Sequence, residues 1–304
     1  MDFTLGEDQL ELKQQARAWL SEKYPLDRDW DGPQDDRWQE LADLGWLDVA
    51  EAELGFVEEA LLLEEMGYAC YHGPYVAHVI ALPSLGVADR DDAASGATRW
   101  SVEGGRITPW LLQVDKVIDF DGNAHPALGE EIASIDPSRP VGRLERTNGT
   151  PVPGGRNVHR ARTALAAEAL GVSQRALDLG IEHAKTRQQF GKPIGTYQAV
   201  SHQLADTYTD VELARSLVYW AAWCIAEDDE QAKVAAAAAN AFATEAAVRA
   251  CERSIQVHGG IGFTWEHPLH RFYKRALWLH HFGTSASKLR LLIADEILGV
   301  AVTA

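Results

Sequence analysis

Residues 187–198, Arg187-Gln-Gln-Phe-Gly-Lys-Pro-Ile-Gly-Thr-Tyr-Gln198, close one long helical pattern and open another. Upstream, Leu165, Ala169, Val172, Ala176 and Leu177 fall on one face of a helix that starts near Val158, and downstream Leu204, Tyr208, Val211, Ala214 and Leu217 form a second apolar stripe. The alanine-rich stretch 232–250 predicts a third helix whose small side chains permit close approach, and a fourth runs from about Thr284 to Leu298. Short connections between such helices give an antiparallel four-helix bundle over 158–304. A second punctuated segment, Gln256-Val-His-Gly-Gly-Ile-Gly-Phe-Thr-Trp-Glu-His-Pro268, ends the third helix.

Towards the N-terminus the texture is also helical. Asp8 to Lys23 carry Leu12, Ala16, Trp19 and Leu20 at spacings of three and four, behind two possible caps, Thr4 with Glu7 and Gly6 with Gln9. A second helix follows the Asp/Pro-rich break at 27–36, and a third spans Val57–Met66. Between Arg99 and Val152 the pattern shifts to short runs, Trp100-Ser-Val, Lys116-Val-Ile-Asp-Phe and Glu131-Ile-Ala-Ser-Ile, separated by Gly, Pro and Asn. These predict a compact sheet remnant and not a full barrel. The expected organisation is mainly α: a helical domain over 1–90, a shortened β-rich domain over 91–157, and the bundle over 158–304.

Composition narrows the function. With 28 Lys plus Arg against 45 Asp plus Glu, a net charge of −17 gives no support to nucleic-acid binding or to an anionic membrane surface. Cys70, Cys224 and Cys251 lie in apolar helical stretches without Cys-x-x-Cys spacing, which suggests neither a metal site nor disulfides and fits a cytoplasmic protein. No apolar run reaches the length of a membrane span, about 18 residues, and the N-terminal residues lack the pattern of a signal peptide.

The two punctuated segments resemble paired signatures of the acyl-CoA dehydrogenase family. The same order continues through Arg271-Phe-Tyr-Lys-Arg275 and Phe282-Gly-Thr-Ser285 to the last helix, and Phe3-Thr-Leu-Gly-Glu-Asp-Gln9 and Leu44-Gly-Trp-Leu47 resemble the family's first helical domain. The resemblance implies FAD as cofactor, with Arg187, Phe190, Gln198, Gln256, Gly259 and Gly260 at its ADP half and the flavin ring lying in a partner subunit. The residues agree physically, since an Arg at a helix end offers a fork of donors to a pyrophosphate and glycines admit close backbone approach. Read on their own, Phe190 is equally consistent with a core residue, Gly191 with a helix cap, and Gly259 and Gly260 with the end of a helix.

The family removes an α-proton from an acyl-CoA with a carboxylate while hydride leaves to the flavin. In its commonest version that carboxylate precedes the Gly-Thr before the last helix, where this chain has Phe282; in another it lies on the first bundle helix, where the matching residue is Ala161. The family's Thr-Glu-x-x-Ala-Gly-Ser-Asp stretch and Trp-Ile/Val-Thr segment have no counterpart, and the Gln expected after Gly283-Thr284 is Ala286. No catalytic residue is therefore assigned; Glu168, His280, His281 and Glu266 remain as candidate relocated bases, and Arg162 matches a position near the thioester. Loss of one half of the site with retention of the other implies a heterotetramer. A full-length acyl-CoA dehydrogenase partner would supply the Glu, the substrate would be a bulky CoA thioester of the steroid side-chain type, and an electron-transferring flavoprotein would be the acceptor. A self-sufficient homo-oligomer and a noncatalytic helical scaffold are the alternatives.

Overall fold

The computed structural model describes residues 5–30, 35–51 and 54–299. Five helices come first: α1 (Glu7–Lys23), α2 (Trp38–Asp43), α3 (Phe56–Tyr68), α4 (Tyr75–Ala81) and α5 (Val87–Ala94). Of the two caps proposed for α1, Thr4 lies outside the described residues; the Gly6 N–H donates to Gln9 Oε1 at 3.0 Å, and Glu7 and Asp8 occupy the positive end of the helix.

The middle segment holds seven short strands: β1 (Trp100–Val102), β2 (Thr108–Pro109), β3 (Lys116–Ile118), β4 (Asn123–Pro126), β5 (Gly129–Ile132), β6 (Val141–Leu144) and β7 (Thr150–Pro151). They form two small sheets, one in the order β1-β3-β4-β7 with β1 and β3 parallel, the other in the order β2-β6-β5 and antiparallel. The remnant expected from the short runs is thus split in two, and neither part closes into a barrel.

The C-terminal half consists of α6 (Val158–Thr186), a hairpin of β8 (Gln188–Gln189) and β9 (Lys192–Pro193), then α7 (Gln198–Ala226), α8 (Ala232–His258), α9 (Leu269–His281) and α10 (Ala286–Leu298). The stripe expected on α6 is buried throughout. On α7 the buried face is Thr207, Val211, Ala214, Val218 and Ala221, whereas Tyr208, assigned to the stripe from spacing, is exposed. Helix α9 is an additional element between the third and fourth bundle helices. It packs on α8 and α6, while α10 packs on α8 through Leu289.

Helix α3 is buried on nearly every face, including the carboxylates of Glu59, Glu64 and Glu65. Each meets a cation from another helix: Glu59 with Arg160 at 2.8 Å, Glu65 with Arg17, and Glu64 with Lys13 at 2.7 Å and with Arg215. Burial alone pushes the Glu64 carboxyl up, but Lys13 and Arg215 outweigh it and hold it below its ordinary value. The α3–α6 crossing is as close as backbone allows. A Cβ on Gly171 would overlap the Glu64 carbonyl oxygen, and one on Gly67 would overlap the Glu168 carbonyl oxygen.

A second buried cluster joins α6, α9 and the segment before β6. Arg275 is fully buried and donates to Asp136 at 2.5 Å, to Glu168 at 2.7 Å, to the Tyr71 carbonyl at 2.9 Å and to Ser138 at 2.9 Å; Arg139 also pairs with Glu168. Burial and the like charge of Arg275 push the Arg139 guanidinium down to about 10, which leaves it cationic at neutral pH.

Two consequences can be measured. Gly171→Ala is expected to destabilise the chain by about 3 kcal/mol or more, because the colliding atom belongs to a helix backbone and cannot swing aside; urea denaturation reads this directly. Glu168→Gln, which leaves two buried guanidinium groups short of an anion, is expected to cost about 3–5 kcal/mol by the same measurement. A change below about 0.5 kcal/mol would deny Glu168 its structural role.

Candidate functional site

The cofactor candidates occupy the end of the bundle where α6 finishes. Arg187 follows the last residue of α6 and its side chain is exposed, as are those of Gln198 at the start of α7 and Gln256 in the last turn of α8. Phe190 and Gly191 form the hairpin turn between β8 and β9, with φ of 54° and 79°. Two successive positive φ values are what a two-residue hairpin turn requires, and Gly supplies one without cost. Phe190 does not, and its ring is 92% exposed. A bulky residue held left-handed at a solvent-facing tip is a strain that packing within this chain does not repay. This excludes the core reading of Phe190.

The last turns of α6, just before the first punctuated segment, meet the second segment through histidines. His183, one turn before Arg187, stacks on His258 with ring centroids 4.3 Å apart, and His258 lies 4.4 Å from His267. Gly259 ends α8 with φ of 64°, so helix termination is part of its role. At both Gly259 and Gly260 a Cβ would meet nothing within 4 Å, so the backbone there faces open space from which a ligand or second chain can approach. Ile261, Phe263 at 76% and Trp265 at 68% exposure flank this surface. Single-residue reading passed over the last two, although two aromatics directly after a glycine-rich helix end are themselves a signal of contact.

Residues matched to the family's two base positions meet elsewhere, across one cavity of about 600 Å³. Phe282 and Ala161 both line it, with Gly104, Asn240 and Thr284, and no Asp or Glu stands among its lining residues. Phe282 is buried and stacks on Trp278 at 4.4 Å and 17°; Arg139 lies 4.3 Å from the Trp278 ring on the way to Trp110. The Phe282 ring also rests on Gly104, where a Cβ would collide with it. Backbone without a side chain at 104 is thus what admits the aromatic ring.

None of the candidate relocated bases lines this cavity. Glu168 is enclosed by Arg139 and Arg275. His281 is exposed, with Nδ1 2.8 Å from the Leu277 carbonyl, which it meets as donor; burial lowers the neighbouring His280. Glu266 is exposed beside Trp265 at the other surface. Arg162, by contrast, does line the cavity. Among the described residues no group of three His, Cys, Asp or Glu is placed to hold a metal, and no helix is long and apolar enough to cross a membrane.

Helix α6 separates the two regions. It runs without interruption from the cavity at Ala161 to the surface at Arg187, a span of roughly 40 Å at helical rise. The ADP-half candidates and the cavity therefore lie at opposite ends of one rod.

Comparison with known proteins agrees with this geometry. Residues 6–86 match the acyl-CoA dehydrogenase N-terminal domain and residues 148–298 the acyl-CoA dehydrogenase C-terminal domain. Acyl-CoA dehydrogenase IpdE2 of Mycobacterium tuberculosis is 33% identical over 252 residues, covering 75% of each chain. Among solved structures, the Tcur3481-Tcur3483 steroid ACAD G363A variant superposes with a TM-score of 0.85 at 27% identity, over 97% of this chain and 99% of that one. The ChsE4-ChsE5 complex from Mycobacterium tuberculosis shares the fold with a TM-score of 0.83 at 24% identity, over 99% of this chain and 100% of that one. With both helical domains matched and a relative of that similarity aligned over three quarters of its length, the chain belongs to the acyl-CoA dehydrogenase family.

Proposed function

We propose that this chain is the noncatalytic subunit of a heteromeric, FAD-dependent acyl-CoA dehydrogenase that desaturates a bulky CoA thioester of the steroid side-chain type. In this reading it holds the ADP half of an FAD whose flavin serves a full-length partner, and the partner brings the Glu that removes the α-proton. One observation carries it: the ADP-half candidates and this chain's own cleft lie at opposite ends of α6, roughly 40 Å apart. An extended dinucleotide does not reach from one to the other, so a cofactor held at Arg187 has its flavin beyond this chain.

The donor set fits the group. Arg187 offers a fork of exposed donors, Gln198 and Gln256 offer amides, and Gly259 and Gly260 leave backbone open to approach. The exposed Phe190, Phe263 and Trp265 supply apolar surface for a second chain around them. When bound, FAD supplies the hydride acceptor; the residues of this chain bind and orient its ADP end. The reading is supported by the chain's own cleft, where Phe282 and Ala161, the residues matched to the family's two carboxylate positions, both line the wall and neither accepts a proton. The likeness to a structure described as a steroid ACAD supports the substrate class.

Co-expression with a full-length acyl-CoA dehydrogenase tests the reading. The expected product is a yellow heterotetramer that, given CoA thioester, reduces an electron-transferring flavoprotein or an artificial acceptor. Arg187→Ala in this chain alone should lower the FAD affinity of the complex by about tenfold or more, as expected for losing a charge-assisted contact. Unchanged FAD content would make the chain a scaffold. A yellow chain that is bleached by a CoA thioester without any partner would make it self-sufficient.

A further inference from the structure

The cavity beside Phe282 has a chemistry that sharing a flavin does not explain. Its walls are largely apolar, including Ile80, Val102, Ile118, Leu165 and Phe282, yet Arg156, Arg162 and Lys288 all reach it. Glu103, Asp119 and Asp121 act on Arg156 from a distance, but the Glu103 carboxylate pairs with Arg146 at 2.6 Å and accepts from the Phe120 N–H at 3.0 Å, while Arg156 donates to the Glu103 backbone oxygen at 2.9 Å. Arg162 has burial alone acting on it, which lowers its pKa with no counter-charge to offset the effect. Among the described residues, Nη1 of Arg156 and Nε of Arg162 are buried without a hydrogen-bond partner.

A buried donor without a partner costs about 1–3 kcal/mol, more when it is charged, and a native structure that tolerates two in one wall asks for an acceptor. The cavity lining offers none with a negative charge. Replacement of both base positions by Phe282 and Ala161 reverses the sign of the cleft. A cleft carrying a basic carboxylate repels a second carboxylate; this one, with three cations and no acid among its lining residues, attracts it.

We propose that this cleft binds, without turning it over, an apolar carboxylic acid, a long-chain or polycyclic free acid, with its carboxylate held by Arg162 and Arg156 and Lys288 at the mouth. A volume of about 600 Å³ lies within the ordinary range for small-molecule sites. The free acid is favoured over its CoA thioester because its charge sits at the head of the acyl chain, where it can meet a cation in the cavity wall, whereas the thioester is neutral there and carries its charge on remote phosphates. The inference concerns this chain's own cleft and stands apart from flavin sharing. A complex that fails to retain FAD says nothing against acid binding, and the reverse also holds.

Calorimetric titration of palmitate and of cholate, each below its critical micelle concentration, into the full chain tests it, with palmitoyl-CoA as a third arm. Saturable binding of one acid per chain is expected, weakening as salt rises. Arg162→Gln should weaken it by about tenfold or more, the loss of a charge-assisted contact. Phe282→Glu, which restores a negative charge, should abolish it. Lys288 is exposed, so Lys288→Gln keeps the test open if Arg162→Gln fails to fold; a several-fold loss and a shallower salt dependence are expected. The proposal is overturned by the absence of saturable binding for both acids, by acid binding that none of the variants changes, or by palmitoyl-CoA binding more tightly than palmitate and losing nothing in Phe282→Glu.

Discussion

The α3–α6 crossing is the constraint around which the rest is arranged. Gly67 and Gly171 let two helix backbones touch, each glycine facing a carbonyl of the opposite helix. Contact at that distance removes the space in which side chains or water could solvate the polar groups of α3. Glu59, Glu64 and Glu65 must therefore find their counter-charges within the protein. Arg17 and Lys13 come from α1, Arg160 from α6 and Arg215 from α7. A buried ion pair contributes little net stability but penalises every arrangement that breaks it. The close crossing thus fixes the register of the N-terminal helices against the bundle through the cost of misplacing three carboxylates.

The same helix transmits this order to the two functional regions. Glu168 sits in the middle of α6, its backbone against Gly67 and its side chain between Arg139 and Arg275. Arg139 then continues to the Trp278 ring, and Trp278 to Phe282 in the cavity wall. A rigid rod anchored at its centre holds its two ends in a defined relation, and one end carries Ala161 and Arg162 while the other carries Arg187. The carboxylate that looked from sequence like a possible replacement base is the anchor of this arrangement.

Much of the fold was legible because helical periodicity survives in α6 and α8, whose buried positions are occupied by small or branched apolar residues. Helix α9 was not, for a physical reason. Its buried face is Leu269, Phe272, Arg275, Ala276 and Leu279, and the central position of that face is a cation. Arg275 is tolerated only because Asp136, far away in the chain, and Glu168 meet it. Local pattern cannot register a burial whose compensation is remote. Tyr208 fails in the opposite sense: its spacing fits the stripe, but its side chain faces outward at the edge of α7. In the site, motif residues were readable, whereas Arg156 and Lys288 were not, since nothing near them in the chain marks a cavity assembled from six separate segments.

Strain and electrostatics give the two ends of α6 different kinds of incompleteness. At one end, Phe190 holds a left-handed turn and exposes almost its whole ring, together with Phe263 and Trp265, so that surface gains most by covering apolar area. At the other, an apolar chamber holds cations with buried donors lacking acceptors, and it gains most by receiving a negative charge. The first deficit suits a macromolecular surface and the second a small anion, because only a large partner buries several aromatics at once and only a small one enters the chamber. An aromatic ring at Phe282, with no Asp or Glu among the lining residues, therefore bears on binding as well as on chemistry. It leaves a cleft whose lining carries Arg156, Arg162 and Lys288 and no acid, and the sign of that lining determines what the cleft can hold.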